Sequence, residues 1–337
     1  MPAAQDDILN QADAWRQSGQ GVALATVVRT WGSSPRPVGS HLAVNQEGRF
    51  VGSVSGGCIE GAVIAEALAA IADGQPRLLE FGVSDEQAWE VGLACGGRVQ
   101  VHVERVKPDF LTRLLAARAA KRPAALVTRL SDHAQVLFDG DEASGGLELD
   151  AAQRAALGER WVSGESGPLD AAGDLFARVY APAPRLIIVG AVHIAQALAP
   201  MAAMAGYEVA LIDPRRAFGS AGRFPGLAVS DEWPDEGMTR LMPDGQTAVV
   251  TLTHDPKLDD PALAVALNSP AFYIGALGSR RTHEKRLARL RQLGLGEEQL
   301  ERIHAPVGLD LGGRYPAEIA VAILAEIIRV RYQGRGR

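Results

Sequence analysis

Cysteine is nearly absent from this 337-residue chain, occurring only at positions 58 and 95. Two thiols make no disulfide framework, so an apolar core must hold the fold, and a reducing, cytoplasmic setting is the expectation. Lysine is scarce too. Only four of the 34 basic residues are lysines, and the net charge is −6. That balance lacks the basic excess that holds phosphate backbones or anionic membranes, so neither nucleic acid nor membrane is expected as a partner. Aromatic residues are few, at 5%, but 47% hydrophobic against 22% charged residues is a globular balance. The acidic start Met1-Pro-Ala-Ala-Gln-Asp-Asp7 has neither the basic nor the apolar part of a signal peptide. One run, Leu186 to Tyr207, lacks Asp, Glu, Lys and Arg for 22 residues. Gly190, His193, Gln196, Pro200 and Gly206 break it, so it reads as a buried strand and a helix and not as a membrane span. A soluble protein is expected.

The length suits two domains. Helices are predicted over 4–18, from Gly57 or Cys58 to Asp73, and over 109–121, with Gly74 as a stop signal. Strands are predicted at 22–30, 41–45, 49–54, 77–81, 98–106, 124–130 and 134–138, the second and third joined as a hairpin about Gln46-Glu47-Gly48. These make a mixed α/β N-terminal domain. Residues 139–174 read as irregular surface with one short helix. The stiff connector Ala181-Pro-Ala-Pro184 divides the chain into domains 1–180 and 185–337. Beyond it strands (185–190, 207–212, 247–253, 271–275) alternate with helices (193–205, 258–268, 280–293, 316–330), which predicts a Rossmann-like parallel sheet covered on both faces.

Both cysteines are wrapped in glycine: Ser55-Gly56-Gly57-Cys58-Ile59-Glu60-Gly61 and Ala94-Cys95-Gly96-Gly97. Paired glycines allow close approach or φ > 0, which suits a thiol that must touch a ligand. Cys58 lies at a predicted helix start, where thiols favour the nucleophilic, metal-binding thiolate. Cys95 lacks that context, and small buried hydrophobe is the alternative for both. Zinc is weakly supported, because the thiols are 37 positions apart and the seven histidines show no paired spacing. Nothing nominates His41 or His102 for a Cys–His pair, and no residue is assigned as catalytic.

In the second domain, Leu186-Ile-Ile-Val-Gly190 precedes a helix, and Asp213 ends the next strand 23 positions on, as a ribose-binding acid would. The expected Gly-x-Gly-x-x-Gly/Ala reads Gly190-Ala191-Val192-His193-Ile194-Ala195. Val192 stands where a second glycine would admit a pyrophosphate, so NAD(P) is doubtful on this fingerprint. A second anion anchor is the helix start Gly278-Ser279-Arg280-Arg281, where free N–H groups and two arginines suit a phosphate, though capping by Ser279 explains it equally. The loop Gly308-Leu-Asp310-Leu-Gly312 is expected to line the same crevice.

Together these residues resemble the XdhC/CoxI family of molybdenum-hydroxylase accessory proteins. The N-terminal likeness lies in Thr30-Trp-Gly-Ser-Ser-Pro-Arg-Pro-Val-Gly-Ser40, in Gly52 to Gly61 and in Ala94 to Gly97. The C-terminal likeness lies in Val250-Thr-Leu-Thr-His-Asp255, Gly278 to His283 and Pro306 to Gly313. Where the family usually reads Gly-Ala-Gly-His, this chain has Gly190-Ala191-Val192-His193. The resemblance implies a chaperone, not a turnover enzyme. It would bind molybdenum cofactor (molybdopterin) transiently, allow its sulfuration and hand it to a xanthine-dehydrogenase-like apoenzyme. A cysteine desulfurase would be the second partner, and a homo-oligomer is compatible with it. On this reading Cys58 and Cys95 contact molybdenum or relay sulfur, and the Gly56-Gly57 and Gly96-Gly97 backbones admit the cofactor. Arg36 or Arg280-Arg281 face its anionic end. The alternatives are an NAD(P)-dependent oxidoreductase using Gly190 and Asp213, and a redox sensor acting through the two thiols.

Overall fold

The computed structural model describes residues 4–32, 34, 36–82, 97–140 and 142–333. The chain divides into two compact units that meet between Pro182 and Ala183.

The N-terminal unit holds two five-stranded antiparallel sheets where the sequence suggests one layer. In the first, β1 (Val22–Trp31), β2 (His41–Asn45), β3 (Phe50–Gly52), β4 (Arg77–Phe81) and β5 (Arg98–Arg105) lie in the order β3-β2-β1-β5-β4. Helix Glu60–Asp73 covers one face. Its Val63, Ala67 and Ala70, at helical spacing, join Ala23, Val27, Val99 and Val101 in one buried cluster. Gly74, at φ 72°, ends it by donating its amide to the Ala70 carbonyl.

The second sheet runs β8-β7-β6-β10-β9, from β6 (Ala124–Arg129), β7 (Gln135–Phe138), β8 (Ala143–Gly145), β9 (Gly167–Pro168) and β10 (Leu175–Tyr180). Helices Ala4–Gln17 and Pro108–Ala119 join the sheets: Ile8, Leu9, Ala12, Leu111 and Leu114 pack with Ala43 of β2 and Leu137 of β7. The stretch 139–174, expected as irregular surface with one short helix, contains the short strands β8 and β9 and the 13-residue helix Ala151–Ser163. An Asp150–Gln153 capping box starts it and Gly164 at φ 70° stops it.

The C-terminal unit carries one parallel sheet built from β11 (Arg185–Val189), β12 (Glu208–Ile212), β13 (Val229–Ser230), β14 (Thr247–Thr251), β15 (Tyr273–Ala276) and β16 (Ile303–His304). Their order, β13-β12-β11-β14-β15-β16, is the 3-2-1-4-5-6 winding of Rossmann sheets. Alternate residues face opposite ways, and both faces are covered. Leu186, Ile188 and Val250 pack on helices His193–Met204 and Pro316–Tyr332, while Ile187, Val189 and Val249 pack on helix Pro256–Leu267. The 22-residue uncharged run is therefore β11 and the helix after it, and among the described residues no helix is long and apolar enough to cross a membrane.

Candidate functional site

Five strand ends of the first sheet lie toward the same edge, with β1 running past the start of β2, where His41 pairs with Thr26. β1 ends at Trp31, β3 at Gly52 and β4 at Phe81, while β2 begins at His41 and β5 at Arg98. The antiparallel pairs Trp31–Arg98, Phe81–Val99 and Leu42–Gly52 bring these ends to one edge of the layer. The loops bearing Arg36 and Cys58 leave from that edge, as do the flanks of the Cys95 segment, Gly82 and the buried Gly97. Cys95 and Gly96 lie outside the described residues.

Between β3 and helix Glu60–Asp73 the chain wraps around the Glu60 carboxylate, and the helix begins later than Gly57 or Cys58. Oε1 accepts from Ser53 Oγ (2.7 Å), Ser55 N–H (2.9 Å) and Val54 N–H (3.2 Å). Oε2 accepts from Gly57 N–H (2.9 Å) and from the Ser55 hydroxyl. Ser55 Oγ accepts in turn from the amides of Cys58 and Ile59, each at 3.0 Å. Gly56 and Gly57 take φ of 81° and 121°, incompatible with helix and strained for any L side chain. Among the described residues a Cβ on Gly57 would meet no atom within 4 Å, so glycine here serves the turn and not a close approach. Burial alone would push the Glu60 carboxyl up. The Ser55 and Ser53 hydroxyls and the Ser55 amide outweigh it and hold the group at about 2.

Cys58 is a free, half-buried thiol one residue before Ile59, the helix N-cap. It packs against the cluster of the first sheet and is therefore partly a core residue. Arg36 comes to the same loop: its Nε donates to the Ser53 carbonyl at 3.3 Å. The structure thus gathers Arg36, Gly56, Gly57 and Cys58, and adds Glu60, which sequence reasoning quoted in the motif without giving it a role.

At the β11 turn of the other unit, Gly190 takes φ 110°, and a Cβ there would stand 2.6 Å from Thr253 Cγ2. Val192 is the N-cap of the following helix, with no side-chain cap, and packs on the core. Asp213 follows β12, where the sequence places it. It is fully buried, and its Oδ2 accepts from Ala191 N–H (2.7 Å) and Arg215 Nη2 (2.7 Å). Its Oδ1 accepts from Arg215 N–H (3.0 Å) and Nε (2.9 Å). A carboxylate offers about four lone-pair sites, so none remains for a ribose hydroxyl.

Ser279 is a helix cap: its Oγ accepts from Thr282 N–H at 3.2 Å. Arg281 lines a cleft of about 550 Å³ beside that helix, with His254, Asp259, Lys285 and Arg286. Arg280 is exposed and does not line it. Asp310 is exposed on the turn that Gly308 packs against helix Pro316–Tyr332. Arg286 and Asp259 are the residues sequence reasoning missed here, since a basic helix gives no sign of which arginine is buried. Among the described residues no group of three or more His, Cys, Asp or Glu could hold a metal ion.

Residues 186–327 match the family profile described as XdhC Rossmann domain, and residues 15–82 match the XdhC and CoxI family. The molybdenum cofactor insertion chaperone PaoD of Escherichia coli K12 is 31% identical over 315 residues, 93% of this chain and 85% of that protein. A probable xanthine dehydrogenase subunit of Bacillus subtilis 168 is 28% identical over 326 residues, 95% of this chain and 96% of that one. A Bacillus halodurans crystal structure described as a xanthine dehydrogenase has a TM-score of 0.77, covering 97% of this chain and 96% of that one. At 23% identity that likeness concerns the fold alone. Matched in both units, and aligned over most of its length to a relative above 30% identity, the chain belongs to the XdhC and CoxI family.

Proposed function

We propose that this protein binds molybdenum cofactor as transient cargo and delivers it to a xanthine-dehydrogenase-type apoenzyme. It acts in maturation and turns over no substrate of its own. The observation that carries the reading is the Glu60-anchored loop, which holds a free thiol, Cys58, directly after Gly57 and is bonded at Ser53 by Arg36. A soft thiolate suits molybdenum or transferable sulfur, and a fixed loop presents it without ordering cost on binding. The names of the E. coli and B. subtilis relatives support a maturation role. Sulfuration of the bound cargo, a cysteine desulfurase as donor, Cys95 as a second thiol, self-association and a cytoplasmic location complete the proposal.

The test is co-purification from cells that make the cofactor, with molybdenum and pterin analysis, and activation of a co-expressed apoenzyme. Wild type should carry both components, and Cys58→Ala should lose most of them. Full cargo and full activation in both Cys58→Ala and Cys95→Ala would refute the thiol role. The strand order favours one other reading, an NAD(P) oxidoreductase. It requires saturable NADH binding, against which Val192 and the occupied Asp213 both weigh.

A further inference from the structure

The cleft beside helix Arg280–Gln292 breaks three local rules at once. Arg280 and Arg281 occupy the first turn, where the helix dipole disfavours cations. Arg281 and Lys285, four residues apart, place like charges side by side on the cleft wall. Beneath them Arg286 is 1% exposed, yet no described group accepts from its Nε or Nη1. Its Nη2 donates to the Leu277 carbonyl at 2.7 Å and lies 3.8 Å from Asp259 Oδ2, too far for a hydrogen bond. Buried charges are ordinarily paired and hydrogen-bonded, so such an arrangement needs an external partner.

We infer that this cleft is a phosphate subsite, which takes the phosphate or diphosphate end of a ligand between Arg281, Lys285 and the inner edge of Arg286. A tetrahedral oxyanion presents three or more acceptor oxygens, enough for donors converging from an exposed rim and a buried floor. The neighbouring acids do not fill the cations. Asp260 is paired with Arg289, and Asp255 accepts from Lys257 N–H at 2.9 Å as a helix cap. Asp259 Oδ1 accepts from the Thr253 hydroxyl at 2.6 Å, while its Oδ2 accepts no hydrogen bond from the described residues and faces only Arg286, at ion-pair distance. Burial pushes the Asp259 carboxyl up, against the Thr253 and Arg286 contacts, which weakens its claim on Arg286 as a counter-ion. The cleft follows the C-terminal ends of β14 and β15, the ligand side of a parallel sheet. Its volume of about 550 Å³ leaves room for the group that carries the phosphate. The site stands whether or not the cargo is molybdenum cofactor.

Calorimetric titration of the full chain with inorganic phosphate and with pyrophosphate, at constant ionic strength, tests it without any pterin. Saturable binding of either anion is expected. The double variant Arg281→Ser/Lys285→Gln alters two exposed side chains, and should bind at least tenfold more weakly with an unchanged melting temperature. Tighter binding of pyrophosphate assigns a diphosphate end, and equal binding assigns a monoester. Absence of saturable binding to wild type, or the same affinity in the double variant, overturns the proposal. Arg286→Met, read by the same titration in whatever fraction folds, should abolish binding.

Discussion

Replacing Glu60 by Gln tests whether one carboxylate organises the thiol loop. Of its five donors, three reach Oε1 and two, Gly57 N–H and the Ser55 hydroxyl, reach Oε2. A glutamine keeps one carbonyl oxygen and turns an NH2 group toward the other pair, so the Gly57 amide faces a donor. Two lost hydrogen bonds to a charge, at about 1.5 kcal/mol or more each, predict a loss of about 3 kcal/mol. The carboxyl's displacement gives a second route to the magnitude. A group held at about 2 against an ordinary 4.5 contributes on the order of 3 kcal/mol at neutral pH, or about 2 once solvent screening is allowed for. The folded carboxyl is depressed, so its contribution is complete above about 4.5 and disappears as pH falls through about 2. Urea unfolding of the N-terminal unit in wild type and Glu60→Gln should therefore differ by about 2–3 kcal/mol at pH 7, and by less than half of that at pH 3. Equal stability at pH 7, or a difference unchanged at pH 3, would refute the argument.

Asp213→Asn should destabilise the C-terminal unit by about 3 kcal/mol in thermal unfolding, because it strips a buried carboxylate from Arg215. A residue that served only a ribose would leave stability intact. Gly190→Ala should cost about 3 kcal/mol, from left-handed strain together with the Thr253 contact, whereas Gly57→Ala should cost about 1 from strain alone; paired denaturant curves decide it. Burial, with His133 and Lys107 nearby, lowers His102 to about 3 from 6.5. The unfolded chain therefore takes up its proton first, and stability falls below pH 6.5 by up to about 1.4 kcal/mol per pH unit from this group. His102→Gln should flatten that dependence between pH 6.5 and 5, as measured by urea midpoints.

The parallel sheet was legible because both its faces are buried. Leu186-Ile-Ile-Val189 is apolar on every residue, and Gly190 punctuates it where the backbone turns. The distance from Gly190 to Asp213 reported that same winding correctly. Spacing carries no information about lone pairs, however, and Arg215, two residues on, had already taken them. Strand Leu175–Tyr180 escaped notice because Arg178 breaks its apolar run, so it shows neither a continuous apolar stretch nor a regular alternation. The one helix expected in the polar stretch before it is started by the Asp150–Gln153 capping box and runs for 13 residues. Cys58 was found through its glycines. The role of Glu60 depends on a chain that folds back across seven residues, which no local pattern encodes. Arg286 is one cation among several on its helix, and only packing decides which of them is buried.

The Asp213–Arg215 pair bears on how the protein shares a cell with abundant metabolites. A Rossmann crevice with a vacant acid offers a dinucleotide ribose a ready acceptor. Here a ribose hydroxyl would have to displace one of four donors, three of them from Arg215, before making a bond of its own. Selectivity of this kind needs no steric clash, and it raises the concentration at which a dinucleotide would fill the crevice. The fold keeps the winding of a nucleotide-binding sheet while withholding the acceptor on which its commonest ligands depend.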